Sequence, residues 1–440
     1  MACLSGKPLT VEASLPPGRI MPRIDPRIAP PRIRPGSVGL AIVGAGGFAG
    51  VATDLVLRTG GLCQPGIRLV AVIEPDTAIH AHRLAELRRR GILTLTDVDD
   101  LLANPEIEAA WLPLPIPLHR IFTERILAAG RAVLVEKPAA GSIQDVDAMI
   151  AARDRARLPV AVGFQHMFDP LTTDLKRRLG GGLLGTVQHA VLHACWPRSQ
   201  EYYQRSSWAG RLKQNDEWVM DSPASNALAH YVNLALFLLG PTLSASAAIE
   251  RVEGELYRAH EIENFDTISL RAHLAGGGTF LVLLTHACRG MHGPILRLEG
   301  TRGRLLHSSE GADIEADGKH ERLAASADPG LEVVGRFAQM ARGLPDETRI
   351  GCTLENARAH VLLVNAASEA TPIVPVPAAH IEHFEDQGQK GVAISGIESA
   401  ILHCAETGQM LHESGLLPFT RPPGSLDVRQ YRKFDGPKSD

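Results

Sequence analysis

The stretch VGLAIVGAGGFAG at residues 38–50 decides how the first half of this chain folds. Its apolar start predicts a buried strand, and the glycines that follow predict a tight turn into a helix. The turn has the form GxGxxA, whose small residues let the backbone and a helix N-terminus approach a pyrophosphate. We therefore expect a dinucleotide to contact five residues of this turn, namely Gly44, Gly46, Gly47, Phe48 and Ala49.

The second predicted strand, IRLVAVIEPD from Ile67, carries Glu74 near its end. A carboxylate there accepts hydrogen bonds from the adenosine ribose and repels a 2′-phosphate. Glu74 lies further from Gly44 than the usual spacing of about 20 residues, and the loop GGLCQPG at 60–66 accounts for much of the excess. The sequence therefore predicts NAD rather than NADP.

The pattern of strands and helices changes near the middle of the chain. Strands alternate with helices as far as Phe168, which predicts parallel βαβ units in a doubly wound sheet. After that point several alternating strands are joined by glycine-rich turns at 275–278 and 300–303, which predicts antiparallel hairpins. The expected fold class is α/β, with an N-terminal Rossmann domain and a C-terminal α+β domain built on a largely antiparallel open sheet.

This pattern divides the chain into three parts. Residues 1–37 hold 8 of the 30 prolines and predict an extended arm, either disordered or laid on the body of the protein or on a neighbouring subunit. Residues 38–165 form the predicted Rossmann NAD-binding domain. Residues 166–440 form the predicted substrate and oligomerisation domain, with a helical C-terminal extension.

Composition excludes several classes of protein. The 440 residues include 45 Lys and Arg against 49 Asp and Glu, a net charge of −4, which argues against a nucleic-acid partner. No apolar run approaches the roughly 18 residues of a membrane span, and no secretory signal pattern opens the sequence. Six scattered cysteines without a CxxC pair suit a reducing cytoplasm. We predict a cytoplasmic protein with no metal site.

Further motifs identify a family. They are LVEKP at 134–138, GFQHMFDP at 163–170, Trp208-Ala-Gly-Arg and LEGTRGRL at 298–305. Together with the glycine turn they resemble the glucose–fructose oxidoreductase, inositol dehydrogenase and rhizopine-catabolism family, Gfo/Idh/MocA. The resemblance covers about residues 38–310. It implies an NAD-dependent oxidoreductase that acts on a secondary hydroxyl of a sugar, polyol or glycoside, and a homodimer or homotetramer.

The resemblance also implies catalytic residues. In that family the Lys of Glu-Lys-Pro lies beside the nicotinamide, and a later helix carries an Asp and, four residues on, a His. The Lys matches Lys137 and the His matches His230, but the Asp position holds Asn226. From the residues alone, Ser222-Pro223 predicts a helix start, which places Asn226 and His230 on one helical face.

The substitution by Asn226 changes the expected chemistry. A neutral amide can orient an imidazole but cannot stabilise the imidazolium by charge. Asp221 and Glu217 lie nearby, yet neither has the spacing to replace the missing carboxylate. This keeps two alternatives open: a redox-neutral NAD-dependent glycosidase or epimerase working through a transient keto-sugar, and a non-catalytic ligand-binding protein.

Other residues complete the predicted site. The stretch 196–218 holds three of the four Trp, and aromatic faces stack on sugar C–H surfaces. The predicted substrate-binding residues are Lys137, Trp208, Arg211, Asn226, His230 and His286. Cofactor contacts predicted outside the glycine turn are Glu74, Pro115, His119, Glu136, Lys137 and Gln165.

Overall fold

A computed structural model describes residues 36–59, 66–326, 328–343, 351–386 and 388–439. The predicted proline-rich arm at 1–37 lies outside these residues, except for its last two. In the described part of the chain no helix is long and apolar enough to cross a membrane.

The first half of the chain forms a six-stranded parallel sheet. Its strands are β1 (Val38–Val43), β2 (Ile67–Ile73), β3 (Leu93–Leu95), β4 (Ala109–Leu112), β5 (Ala132–Val135) and β6 (Val160–Val162). Their order is β3-β2-β1-β4-β5-β6, with every neighbouring pair parallel. This order reverses direction between β1 and β4, where a doubly wound sheet opens a crevice at the carboxyl ends of its strands.

Helices connect these strands, as the alternating pattern predicts. They are α1 (Gly47–Thr59), α2 (Ala81–Arg89), α3 (Val98–Ala103), α4 (His119–Ala128) and α5 (Ile143–Ala156). Strands β1, β4 and β5 are buried along their whole length, which explains why they read as apolar runs. The short strand β3 was not predicted, because three residues (Leu-Thr-Leu) between two helices are too few to show a strand pattern.

A second, larger sheet follows. Its strands are β7 (Val187–Cys195), β10 (Ile249–Arg258), β11 (Thr267–Leu274), β12 (Thr279–Thr285), β13 (His292–Gly300), β14 (Gly303–Ser308), β15 (Gly311–Ala316), β16 (Lys319–Ala324), β17 (Ile373–Pro375) and β20 (Gly424–Asp427). Their order is β16-β15-β14-β13-β7-β12-β11-β10-β17, with β20 also paired to β10. The pairs β7–β12 and β10–β17 are parallel and the others antiparallel. The two predicted hairpins, β11–β12 and β13–β14, are confirmed.

Helices and two small hairpins surround this sheet. The helices are α6 (Pro170–Gly180), α7 (Gln200–Gln204), α8 (Ala229–Leu238), α9 (Pro329–Ala341), α10 (Leu354–Ala370), α11 (Ile397–Thr407) and α12 (Leu411–Ser414). The hairpins pair β8 (Lys213–Gln214) with β9 (Glu217–Trp218), and β18 (Ile381–Asp386) with β19 (Gln389–Ile394). The C-terminal extension is therefore mixed rather than helical.

The central strands of the second sheet are covered on both faces. In β7, Leu192 and Ala194 enter the main core, whereas Val191 and Cys195 enter a second apolar cluster. The second cluster consists of sheet residues packed against the C-terminal part of the chain, including Ile397, Ile401 and Cys404 of α11. The boundary predicted at residue 165 stays a prediction, because the main core is continuous across both sheets.

Candidate active site

The glycine turn lies at the switch point of the first sheet. Gly44 has φ +111° and Gly47 has φ +51°, which are backbone conformations that favour glycine. A Cβ atom on Gly44 would lie 3.1 Å from the Cβ of Ala49, whereas one on Gly47 would meet nothing within 4 Å. The turn therefore packs tightly against α1 while leaving open space at the first residue of that helix, which fits a bound pyrophosphate.

Glu74 lies directly beside this turn. Its carboxylate accepts hydrogen bonds from the backbone N–H of Ala45 at 2.9 Å and of Asp76 at 3.0 Å. The imidazole of His80 lies 3.9 Å away and packs against Gly46, where a Cβ atom would approach its ring to 2.6 Å. The carboxylate is thus fixed at the end of β2 by two backbone N–H groups, directly beside the glycine turn.

Three polar side chains form a chain at the carboxyl end of β5. The Nζ of Lys137 donates to the backbone oxygen of Asn226 at 2.8 Å and lies 3.2 Å from its side-chain Oδ1. The Nδ2 of Asn226 donates to Oδ1 of Asp221 at 2.8 Å. Burial lowers the pKa of Lys137, while the carboxylates of Glu136 and Asp221 raise it. Asp221 therefore does reach the site, contrary to the expectation from its spacing.

The segment before α8 explains this contact. A helix starting at Ser222-Pro223 was predicted, but that prediction is wrong, since α8 begins at Ala229. The hydroxyl of Ser222 accepts from the backbone N–H of Ser225, and Met220 has φ +56°. These turns fold residue 221 back toward residue 226, so Asn226 precedes the helix instead of sharing its face.

His230 lies in the first turn of α8, and its buried ring nitrogen Nδ1 has no hydrogen-bond partner among the residues that the structure describes. Its ring contacts the edges of Phe164 and His166, with centroid distances of 5.8 and 5.4 Å. Burial, followed by the charge of Lys137, lowers the pKa of His230 well below its usual value. The imidazole is therefore neutral near pH 7.

Glu136 precedes Lys137 and faces the interior of the first sheet. Its Oε1 accepts a hydrogen bond of 3.0 Å from the indole of Trp111, whose ring contacts that of the half-exposed Phe48 at 6.4 Å. A Cβ atom on Gly163 would lie 2.7 Å from the carboxylate. Burial raises the pKa of Glu136 to about 7, against the opposing effect of Lys137.

The remaining predicted cofactor contacts, His119, Pro115 and Gln165, differ from one another in burial and in their partners. The two ring nitrogens of His119 lie 2.8–3.2 Å from the backbone oxygens of Leu114, Pro138 and Ala139, and the residue is 1% exposed. His119 therefore joins the loops that follow β4 and β5, and its nitrogens face protein rather than an open site. Pro115 is exposed at the start of a short 3₁₀ turn, and Gln165 is half-buried after β6.

The aromatic stretch brings Tyr202 to the site. The Oη of Tyr202 lies 3.4 Å from Nδ2 of Asn226, and the guanidinium groups of Arg198 and Arg205 lie 4.6 and 3.6 Å from its ring centroid. Arg205 also lies 5.0 Å from the ring of Trp208. Tyr202 and both arginines were missed as site residues, although they belong to the same WPRSQEYYQR run.

Two predicted substrate contacts have other partners in the structure. Arg211 is exposed and forms an ion pair with Glu263. His286 is 2% exposed, its Nδ1 lies 2.7 Å from the backbone oxygen of Trp196, and its ring contacts Tyr202 at 6.4 Å. Burial lowers the pKa of His286 to about 3, so it is a neutral residue that supports Tyr202.

Sequence comparison decides the family. Two protein-family sequence models match the chain. The GFO/IDH/MocA model, described as an oxidoreductase family with an NAD-binding Rossmann fold, matches residues 38–164, and the model of the GFO/IDH/MocA C-terminal domain matches residues 172–306. The chain belongs to the GFO/IDH/MocA family. This confirms the resemblance carried by the glycine turn and the LVEKP motif, and with it the expected fold class.

The relatives of this chain include two dehydrogenases whose substrates are given in their names. An inositol 2-dehydrogenase of Rubrobacter xylanophilus is 32% identical over 166 residues, which cover 37% of this chain and 45% of that protein. A D-apiose dehydrogenase of Paraburkholderia graminis is 24% identical over 242 residues, covering 54% of this chain and 56% of that one. The chain therefore matches these curated relatives over about half of their length.

Solved GFO/IDH/MocA structures share the fold over a longer stretch. The WlbA dehydrogenase of Bordetella pertussis, in complex with NADH and UDP-GlcNAcA, has a TM-score of 0.62 at 20% identity, covering 78% of this chain and 99% of that one. A levoglucosan dehydrogenase in complex with NADH has a TM-score of 0.62 at 16% identity, covering 75% and 95%. Over the described ranges, no group of three or more His, Cys, Asp or Glu side chains is arranged to hold a metal ion.

Proposed function

We propose that this GFO/IDH/MocA member is an NAD-dependent oxidoreductase that oxidises a secondary hydroxyl of a sugar, polyol or glycoside, or runs the reverse reaction. One observation carries the proposal: a neutral His230, whose Nδ1 has no partner in the described part of the chain, lies near the Lys137 ammonium at the carboxyl end of β5. The relatives support it, since their names include inositol and apiose dehydrogenases. NAD, when bound, supplies the nicotinamide that accepts the hydride.

His230 and Lys137 have different roles at the substrate hydroxyl. His230 accepts the hydroxyl proton on a neutral imidazole, and the burial that lowers its pKa also limits its strength as a base. Lys137 donates a hydrogen bond to the same oxygen and stabilises the negative charge that develops on it. Asn226 holds the Lys137 ammonium through its backbone and side-chain oxygens. Tyr202 brings its hydroxyl to Asn226 while Arg198 and Arg205 cover its ring, and Trp208 adds a second aromatic ring beside Arg205.

NAD is preferred over NADP because of Glu74. Its carboxylate is fixed by the backbone N–H groups of Ala45 and Asp76, beside the glycine turn. A ribose hydroxyl can donate to such a group, whereas a 2′-phosphate would be repelled by it. We expect Glu74→Ser to raise the Kd for NAD and to bring the Kd values for NAD and NADP closer together.

The test begins with the purified chain. Any nicotinamide that copurifies is released and identified, and reduced nicotinamide is then followed by absorbance against a panel of sugars, polyols and glycosides with NAD and with NADP. We expect net reduction of NAD by at least one member of the panel. Product formed without accumulation of NADH would favour the redox-neutral glycosidase or epimerase, and tight sugar binding without any reaction would favour a binding protein.

His230→Ala tests the assignment of the base. We expect turnover to fall by about 10²–10⁴-fold, the usual contribution of a general base, while the affinity for NAD is retained. His320→Ala is the matched control, since His320 is exposed on β16 and should leave turnover unchanged. Turnover that survives in His230→Ala would remove this residue from the mechanism.

A further inference from the structure

The side chain of Asn226 bridges two groups of opposite charge. Its Oδ1 faces the Lys137 ammonium at 3.2 Å, and its Nδ2 donates to the Asp221 carboxylate at 2.8 Å. We propose that Asp221 is a positioning residue that fixes the orientation of Asn226 and supplies the site with negative charge through that amide. This inference rests on the proposed function only in what it says about turnover.

Hydrogen-bonding capacity fixes the direction of the amide. An ionised carboxylate only accepts hydrogen bonds and an ammonium only donates them. The Nδ2 of Asn226 must therefore face Asp221, and its Oδ1 must face Lys137. If residue 221 were apolar, Lys137 alone would orient the amide, and the Nδ2 of Asn226 would lose its carboxylate acceptor.

Asp221 is held in place from several sides. It is 2% exposed, and its Oδ2 accepts a hydrogen bond from the backbone N–H of Gly210 at 2.6 Å. Its backbone oxygen accepts from Nδ2 of Asn264 at 3.1 Å. A carboxylate fixed in this way can orient its partner without any movement of its own.

The charge of Asp221 has no cation in direct contact. Within the described ranges, no Lys, Arg or His side chain forms an ion pair with it, and every hydrogen bond to its carboxylate comes from an amide. A buried charge without compensation is costly, so longer-range attraction to cations must offset part of that cost. The cations that act on it are Arg205 and, across Asn226, Lys137.

The charge of Lys137 interacts with several titratable or charged groups in addition to Asp221. The titratable or charged side chains that interact with it are Glu136, Arg205, His119, His230, His360 and Asp221. Three of these are histidines whose pKa is lowered by burial, so they are neutral near pH 7. Glu136 and Asp221 are the two carboxylates of the set, and removal of either should make the ammonium easier to deprotonate.

The experiment measures the titration of the Lys137 amine directly. The full chain is labelled with trace acetic anhydride over a range of pH, and the acetylated fraction of the Lys137 peptide is read by mass spectrometry. We expect Asp221→Asn to lower the midpoint by about one pH unit, as for loss of one charge on the far side of a single amide group. Glu217→Gln, an exposed charge on the same segment, should leave the midpoint unchanged.

An exchange of the two groups separates charge from simple packing. In Asp221→Asn combined with Asn226→Asp, the carboxylate and the amide swap places, so the segment keeps its volume and its total charge. We expect the titration midpoint of the Lys137 amine to return to the wild-type value or above, because the carboxylate at residue 226 then lies directly beside the ammonium, with no amide between them. The value of kcat/KM at neutral pH should recover with it, at least tenfold above Asp221→Asn alone.

Two results would overturn this inference. One is an unchanged midpoint in an Asp221→Asn protein that still unfolds cooperatively. The other is a midpoint in the exchanged protein that stays below the wild-type value, which would mean that Asp221 serves only to hold Gly210. If no variant and no wild-type protein turned over any sugar while the midpoints moved as expected, the proposed function would fail and the link from Asp221 to Lys137 would stand.

Discussion

The indole Nε1 of Trp111 lies 3.0 Å from Oε1 of Glu136, so a tryptophan at the end of β4 donates to a carboxyl group at the end of β5. Burial raises the pKa of this carboxyl to about 7. A neutral acid accepts the indole hydrogen bond without the cost of a buried charge. The pair thus makes the stability of the protein depend on pH near neutrality.

The direction of this dependence follows from the raised pKa. The unfolded chain releases the Glu136 proton near its ordinary value of 4.5, while the folded chain keeps it until about pH 7. Stability contributed by the protonated group is fully present below pH 4.5 and is lost as the pH rises to about 7. Glu136→Gln keeps an acceptor for Trp111 and stays neutral, so its Tm should exceed that of the wild type increasingly over this range.

The measurement is thermal unfolding of the cofactor-free protein from acidic to mildly alkaline pH. The difference in Tm between Glu136→Gln and wild type should become constant above pH 7. Glu217→Gln, at an exposed position, serves as the charge-matched control. A Tm difference that stays the same at every pH would show that Glu136 does not titrate in this way.

The glycine turn gives a second prediction. Gly44→Ala puts a side chain on a residue with φ +111° and brings its Cβ to 3.1 Å from that of Ala49. Strain of this kind costs about 1–3 kcal/mol, and the turn would shift away from the cofactor. We expect the Kd for NADH, measured by fluorescence titration, to rise about tenfold or more.

Gly180→Ala is the control for this prediction. Gly180 ends α6, its added Cβ would meet nothing within 4 Å, and alanine favours a helix over glycine. This variant should bind NADH as the wild type does and be slightly more stable. Equal affinities for NADH in Gly44→Ala and Gly180→Ala would argue against the turn as the cofactor site.

The third prediction concerns the C-terminal segment. Phe434 is 1% exposed, its ring contacts Trp218 at 4.8 Å, and its backbone exchanges hydrogen bonds of 3.0 and 3.1 Å with the side chain of Gln144 in α5. Phe434→Ala should lower the free energy of unfolding by about 3–5 kcal/mol. Chemical denaturation measures this loss, and Leu416→Ala, at a half-exposed position, should cost far less. Similar losses in both variants would show that the tail does not stabilise the body.

The sequence predicts the parts of the fold that depend on local pattern. Strand β1, the turn at Gly44 and helix α10 follow from apolar runs and glycine spacing over a few residues. The start of α8 does not, because Ser222 and Ser225 use their hydroxyls on nearby groups and favour turns over a helix. That choice depends on contacts with residues 210 and 264, which are distant along the chain.

The candidate site was predictable to a similar extent. Lys137 and His230 followed from the family motifs, and the structure places both near Asn226. Asp221 and Tyr202 could not be predicted, because they reach Asn226 only through a turn and a short helix whose geometry no motif encodes. Arg211 followed from the Trp208-Ala-Gly-Arg motif, but no local pattern shows that its charge pairs with Glu263, which is distant along the chain.

The two-sided cover of the second sheet has a consequence for internal motion. Strand β7 has hydrogen-bonded neighbours on both edges and apolar clusters on both faces, so its amide protons should exchange only when the whole protein unfolds. The segment that carries Tyr202 starts directly at its end. The aromatic side of the site continues from this protected strand, and hydrogen bonds of Trp196, Arg198 and Ser199 to neighbouring segments hold it in place. A substrate should therefore meet a preformed aromatic surface, whose position depends on the sheet beneath it.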